Sequence, residues 1–294
     1  MGLKIFTQNI IRLFKFDLKE HHKIINQVKK YPFMFDNFKY QLYEDIPLVK
    51  LPHILNQYDS LLSILNSDKS VSRFGDGEFN LIFGNSIGFQ EYTPELAKRL
   101  KDILMSDDDG ILIGISRRFG SLEDVSEDVR NYWRWFMGKY RNKLYEMLDF
   151  NKTYIDTCMT AHSIEVEDHT LCQDDSEKYY ALCRKIWDNK DITIIKGEGT
   201  EKVTFDIYDN AKSINYIYAP KKNAFRKYNE ILEEAKKQPK DRLIILILGP
   251  TATVLAYDLH KLGYRALDIG HLAKAYDWLK THNTKIVAGQ FFAS

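Results

Sequence analysis

The chain has 294 residues, with 42 Lys and Arg against 41 Asp and Glu, 44% hydrophobic residues and 28% charged ones. That length buries a sizeable core, that composition excludes wholesale disorder, and the balanced charge gives no reason to expect nucleic acid as a partner. The three cysteines, Cys158, Cys172 and Cys183, form no CxxC pair or Cys/His cluster, which argues against a disulfide framework or a zinc site and fits a cytoplasmic protein.

No apolar run approaches the roughly 20 residues that a membrane span needs. The opening MGLKIFTQNIIRLFKF has no small-residue cleavage site, and Phe6 stands where myristoylation requires Ser or Thr. Residues 1–30 carry seven Lys/Arg against two Asp/Glu. Ile5, Phe6, Asn9, Ile10, Leu13, Phe14 and Phe16 make a partly helical apolar stripe. This stripe is expected to dock on the domain, to form a homodimer contact, or to make a peripheral contact with the inner face of an anionic membrane. Residues 1–52 read as an N-terminal helical extension and 53–294 as the main domain.

Within that domain, helical and extended patterns alternate. Ser60–Leu65 ends a helix and Val71–Phe74 is a short strand. Pro94–Met105 is a helix with Thr93 as N-cap and Pro94 in its first position, and Asp107–Gly110 is a turn. Ile111–Ile115 is a buried strand, followed by a Trp/Tyr-rich helix near Val125–Leu148. Thr153–Thr157 and Ile192–Ile195 are strands on either side of the helix Asp175–Trp187. The strand Ile214–Tyr218 leads to the helix Ala224–Lys237. Leu243–Leu248 is a continuous apolar run of the kind that parallel sheets bury on both faces. The helix Thr251–Leu262, closed by Gly263, and the strand Ala266–Ile269 complete the pattern. The alternation predicts an α/β fold with a Rossmann-like, doubly wound, mostly parallel sheet, whose ligands sit beyond the carboxyl ends of the strands.

The strand ends therefore hold the candidate chemistry. In Ser72–Phe79 (SRFGDGEF), Asp76 and Glu78 read as metal ligands in a loop. Gly75 and Gly77 permit a close approach, and Arg73 is placed to meet phosphate. Arg117 follows another strand and offers a guanidinium to anionic oxygens. Gly249, Pro250 and Thr251 join the strongest strand to a helix N-terminus, where free amides attract anions. Asp268 and His271 end the last strand. Glu198, after Ile192–Ile195, is a candidate general base, and Lys222 and Asn223 are candidate donor contacts. No P-loop, GxGxxG fingerprint, GxSxG elbow or HExxH motif is present.

Three segments together resemble the bacterial GT-D-type glycosyltransferase family: SRFGDGEF (Ser72–Phe79), LGPTATVLAYDLHKLGYRALDIGH (Leu248–His271) and YDNAKSI…APKKNAF (Tyr208–Phe225). The resemblance covers roughly residues 55–285. It implies a single Rossmann-like domain, a DxE motif (here Asp76 and Glu78) holding Mn2+ or Mg2+, and a UDP-sugar donor. It also implies hexose transfer to a glycan or glycoprotein acceptor, as in glucosylation of serine-rich bacterial surface proteins or in polysaccharide synthesis. A cation bridging the two phosphates neutralises the departing diphosphate, and Glu198, Asp268 or His271 is the base for the acceptor hydroxyl. Two stretches depart from the family's usual pattern: GEGTEKVTFD, and Ala273 and Ala275 after the Gly-His pair. They motivate a second reading, a non-catalytic nucleotide-sugar-binding subunit of a glycosylation complex. A nucleotidyl or phosphoryl transferase using the same carboxylates is a third.

Overall fold

The computed structural model of the chain describes residues 21–35, 50–122, 125–161, 173–200 and 203–281. Its strands are β1 (His53–Ile54), β2 (Ser70–Phe74), β3 (Ile111–Ile115), β4 (Thr153–Asp156), β5 (Asp191–Gly197), β6 (Ser213–Ala219), β7 (Leu243–Ile247) and β8 (Ala266–Asp268). They form one sheet in the order β1-β4-β3-β2-β8-β7-β5-β6, and every ladder between them is parallel. The chain winds outward from β2 through β3 to β4, then fills the other side and returns with β8. So β2 and β8, neighbours in space, come from opposite ends of the domain. This is the topological switch point, where an open α/β sheet leaves a crevice beyond its strand ends.

The helices are α1 (residues 21–35), α2 (Gln57–Leu65), α3 (Asp76–Ile82), α4 (Pro94–Leu104), α5 (Glu127–Tyr145), α6 (Gln173–Arg184), α7 (Tyr228–Lys236), α8 (Pro250–Lys261) and α9 (Leu272–Lys280). One face of the sheet packs on α2, α6 and α9 around Leu61, Ile64, Tyr179, Tyr180, Trp187 and Leu272. On the other side α8 lies along β2 and β8, with α4 and α7 against it. All five residues of β7 are buried, as its unbroken apolar run requires.

Local signals account for most boundaries. Thr93 caps α4 by accepting from the Leu96 amide at 3.2 Å. Leu96, Leu100, Ile103 and Leu104 fall on its buried face. Gly263, at φ +81°, ends α8. Its N–H donates to the His260 carbonyl at 2.8 Å, and the Tyr264 N–H to that of Leu259 at 2.9 Å, the paired bonds of a Schellman motif.

The structure differs from expectation in four places. Asp76–Glu78 is the first turn of α3, not a loop. The helix expected over Ala224–Lys237 starts as a 3-10 turn, Ala224–Lys227, before α7. The helix expected over Asp175–Trp187 runs from Gln173 to Arg184, and α9 follows the Asp268–His271 strand end, where the pattern predicts no helix. The N-terminal stripe from Ile5 to Phe16 lies outside the described residues.

The chain divides into two compact units. One comprises Met1–Val49 with Arg130–Arg141; the other comprises Lys50–Val129 with Asn142–Ser294 and holds the sheet. Within the first, Phe33 of α1 stacks on Trp135 with ring centroids 6.0 Å apart. No helix among the described residues is long and apolar enough to cross a membrane. Cys158 and Cys183 are buried thiols, and Cys172 lies outside the described residues.

Candidate active site

The register of β2 against β8 sets Val71 opposite Leu267, so the segments leaving these strands, Arg73–Glu78 and Asp268–His271, emerge side by side. Arg73 ties them together. Its Nε donates to the Asp268 carbonyl at 2.8 Å, and its Nη2 reaches Asp268 Oδ1 at 3.2 Å. Its Nη1 donates to the Thr157 carbonyl at 3.0 Å and to Thr160 Oγ1 at 2.8 Å. These contacts turn the guanidinium inward and make Arg73 the clamp of the switch point. Thr253 of α8 completes the knot, donating to the Arg73 carbonyl at 2.9 Å, with Asp268 Oδ2 at 3.3 Å.

Asp268 is 3% exposed. Burial raises its carboxyl above the usual range, and the Arg73 charge and hydrogen bonds oppose that rise. Glu78 occupies the third position of α3, and its Oε2 accepts the Gly75 N–H at 2.8 Å, the reach-back of a capping box. Burial, and then the neighbouring charge of Asp268, push the Glu78 carboxyl up to about 7. The two acids therefore share one electrostatic site. Asp76 opens the same helix, and its carbonyl accepts from Asn80 Nδ2 at 2.9 Å. Residues two apart on a helix point roughly 200° from each other. A close convergence of Asp76 and Glu78 on one point is therefore not built into this turn.

Two glycines are demanded by geometry. Gly270 has φ +47°, and a Cβ there would lie 2.0 Å from Arg73 Nη2. Gly249 has φ +53°, and a Cβ there would lie 2.6 Å from Phe89 Cε2. The ring of Phe89 thus takes the space that Gly249 leaves at the start of α8. Behind it Thr251 is fully buried, and its hydroxyl has no hydrogen-bond partner among the described residues.

The other predicted residues spread along the same crest. His271 stands at the N-terminus of α9. Its surroundings, then the charges of Lys274 and Arg73, push its imidazole down to about 4, although the residue keeps an exposed flank. Glu198 is exposed in the turn after β5, with β7 between it and β8. Two strand spacings put about 10 Å between those strands. Lys222 is exposed after β6. Asn223 adopts the left-handed conformation at φ 54°. Its Oδ1 accepts the Glu91 N–H at 2.7 Å, and its own N–H donates to the Phe89 carbonyl at 2.8 Å. On the other flank the Arg117 N–H donates to Asp156 Oδ1 at 3.3 Å, and its Nε lies 3.7 Å from Asp156 Oδ2.

Residues 71–291 match the family described as the glycosyltransferase GT-D fold. The chain belongs to that family. This GT-D protein is 37% identical over 240 residues to "Probable glycosyl transferase Gly" of Streptococcus gordonii, a match covering 79% of this chain and 34% of that protein. It is 32% identical over 224 residues to glycosyltransferase GlyD of Streptococcus pneumoniae serotype 4, covering 76% of this chain and 27% of the relative. The chain thus spans about a third or less of the length of these curated relatives. Two solved structures share the architecture. One, described as the highly conserved domain of unknown function 1792 with a distinct glycosyltransferase fold, superposes with a TM-score of 0.74 at 34% identity, covering 79% of this chain and 83% of that one. A second, described as a new glycosyltransferase of the same domain type from Streptococcus sanguinis, gives 0.74 at 35% identity, covering 79% and 85%.

Sequence reading missed three contributors to the site of this GT-D protein: Thr157 and Thr160, which accept from Arg73, and the Phe89–Glu91 segment, which is gripped by Asn223. Their partners lie 84, 87 and 132 residues away along the chain. Only the glycine at 270, directly before the expected histidine, was a local sign of crowding.

Proposed function

We propose that this protein is a metal-dependent glycosyltransferase that moves a hexose, glucose favoured, from a UDP-sugar to a glycan or glycoprotein acceptor in bacterial surface glycosylation or polysaccharide synthesis. The observation that carries this reading is that the segments bearing Glu78 and Asp268 leave the paired strands β2 and β8 at the switch point, in a chain of a family with a glycosyltransferase fold.

The residues fit a hard divalent ion. The acids at the crevice offer carboxylate oxygens, the donors that Mn2+ and Mg2+ prefer, and burial together with the charge of Asp268 keeps the Glu78 proton on up to about 7, a proton that a cation would displace. Glu78 would hold the ion at the crevice, and Asp76, which leaves the same turn of α3 in another direction, would join it by turning its side chain towards Glu78. No group of three or more His, Cys, Asp or Glu placed to hold a metal occurs among the described residues, so phosphate oxygens and water would have to supply the remaining donors. When bound, the ion neutralises charge on the departing diphosphate.

The chain's own residues supply the rest. Arg73 fixes Asp268 and leaves its orientation little freedom. Deprotonation of the acceptor hydroxyl falls to Asp268 or His271, which share the segment leaving β8, rather than to the more distant Glu198. Lys222 and the Thr251 amide contact the donor, the latter once Phe89 moves off Gly249.

The test is release of UDP from UDP-glucose with Mn2+ present, with and without a glycopeptide acceptor. Acceptor-stimulated release that chelator abolishes is the expected result. UDP binding with neither turnover nor donor hydrolysis would instead mark a non-catalytic nucleotide-sugar-binding subunit.

A further inference from the structure

The first unit of the chain has a chemistry of its own. Along α1, Ile24, Val28, Tyr31 and Phe35 fall on one face at helical spacing, and Ile25 lies at its edge. These side chains are not core. Ile24 is 53% exposed, Val28 55%, Tyr31 54% and Phe35 73%. Phe33 points away from this face and stacks on Trp135, so among the described residues the helix is held on one side and exposed on the other.

Charge says what the open face meets. Residues 21–35 contain Lys23, Lys29 and Lys30 and no Asp or Glu. Over the whole first unit, Met1–Val49 with Arg130–Arg141, the sequence has twelve Lys/Arg against five Asp/Glu. The remainder has thirty against thirty-six, so a chain of net charge +1 is strongly polarised. A two-fold contact through this face would bring together two copies of the same basic unit, each with twelve Lys/Arg against five Asp/Glu. An anionic lipid surface attracts them, and a helix with a lysine-bearing polar face and aromatic and aliphatic residues opposite lies in such an interface.

We propose that α1 rests on an anionic lipid surface, with Ile24, Val28, Tyr31 and Phe35 entering the headgroup–acyl boundary and Lys23, Lys29 and Lys30 at headgroup level. The contact is peripheral and salt-sensitive. It places the protein at a membrane face independently of which sugar it handles.

Co-sedimentation of the full chain with vesicles tests this. The protein is expected to pellet with phosphatidylcholine vesicles containing phosphatidylglycerol and to stay in solution with phosphatidylcholine alone. Lys29→Glu/Lys30→Glu should weaken the association by at least about tenfold, since each cation near the surface is worth roughly fivefold. Val28→Glu/Phe35→Glu should abolish pelleting while leaving the far-UV circular dichroism and melting temperature unchanged, because both side chains lie largely in water. Absence of pelleting with anionic vesicles, or equal pelleting with neutral ones, would overturn the proposal. So would a dimeric wild type that the Val28/Phe35 variant converts to monomer, which would assign the face to a second copy of the chain.

Discussion

Arg73 embraces Asp268 twice, through the backbone carbonyl at 2.8 Å and the carboxylate at 3.2 Å. The two side chains are 12% and 4% exposed, so neither charge has water to fall back on. The pair joins the first central strand of the sheet to the last and fixes the crevice between them. Removing one partner of a buried pair leaves the other uncompensated, at a cost of about 3–5 kcal/mol. Arg73→Ala should lose stability of that order in urea unfolding. Arg73→Lys should recover only part of it, because an ammonium cannot serve the Thr157, Thr160 and Asp268 oxygens together.

Gly270→Ala should reproduce a milder form of the same lesion. The new methyl would meet Arg73 Nη2 at 2.0 Å, on a backbone with φ +47°. Strain of this kind costs on the order of 1–3 kcal/mol. The guanidinium should also be displaced, giving a lower midpoint in chemical denaturation and weaker nucleotide binding in the same variant. Gly263→Ala, also at positive φ but with nothing within 4 Å, is the control. It should lose stability and keep binding.

The Glu78 carboxyl gives the protein a pH signature. Its folded-state value, about 7, lies above the ordinary 4.5, so the folded protein holds this proton more tightly than the unfolded chain. The associated stability is present below about pH 4.5 and declines as pH rises towards 7, by at most about 3 kcal/mol. Glu78→Gln should lose this component of the pH dependence and keep those of His271 and Asp268, so the difference between the two stability curves should change progressively across the window. Cation-dependent UDP affinity should move the opposite way, rising about tenfold per pH unit up to near 7, because a carboxylate must release its proton to bind metal.

The α/β scaffold could be read from sequence because its signals are local. The all-apolar Leu243–Ile247 stretch, the Thr93-Pro94 start and the Gly263 stop each declare themselves within a few residues. The two-residue β1 was too short to show any periodicity. The helical start at Asp76 was hidden by glycines on either side, although Glu78 three residues after Gly75 carried the spacing of a capping box. The candidate site was legible as a list of strand ends, not as an arrangement. Nothing near Arg73 in sequence reveals that its donors are spent on residues 84 to 195 positions away, and so that it braces Asp268. Nor does the sequence around Gly249 show that an aromatic ring, Phe89, lies against it.

In the proposed function, acids at the β2–β8 crevice hold a cation that in turn holds a nucleoside diphosphate. Calorimetric titration of UDP in saturating Mn2+ into the wild type, Asp76→Ala and Glu78→Ala tests it most directly, with melting curves to show that the variants fold. Each substitution should weaken UDP binding by about 100-fold or more, on the order of 2.7 kcal/mol, and chelator should weaken the wild type to a similar degree. UDP affinity unchanged in both folded variants would contradict it.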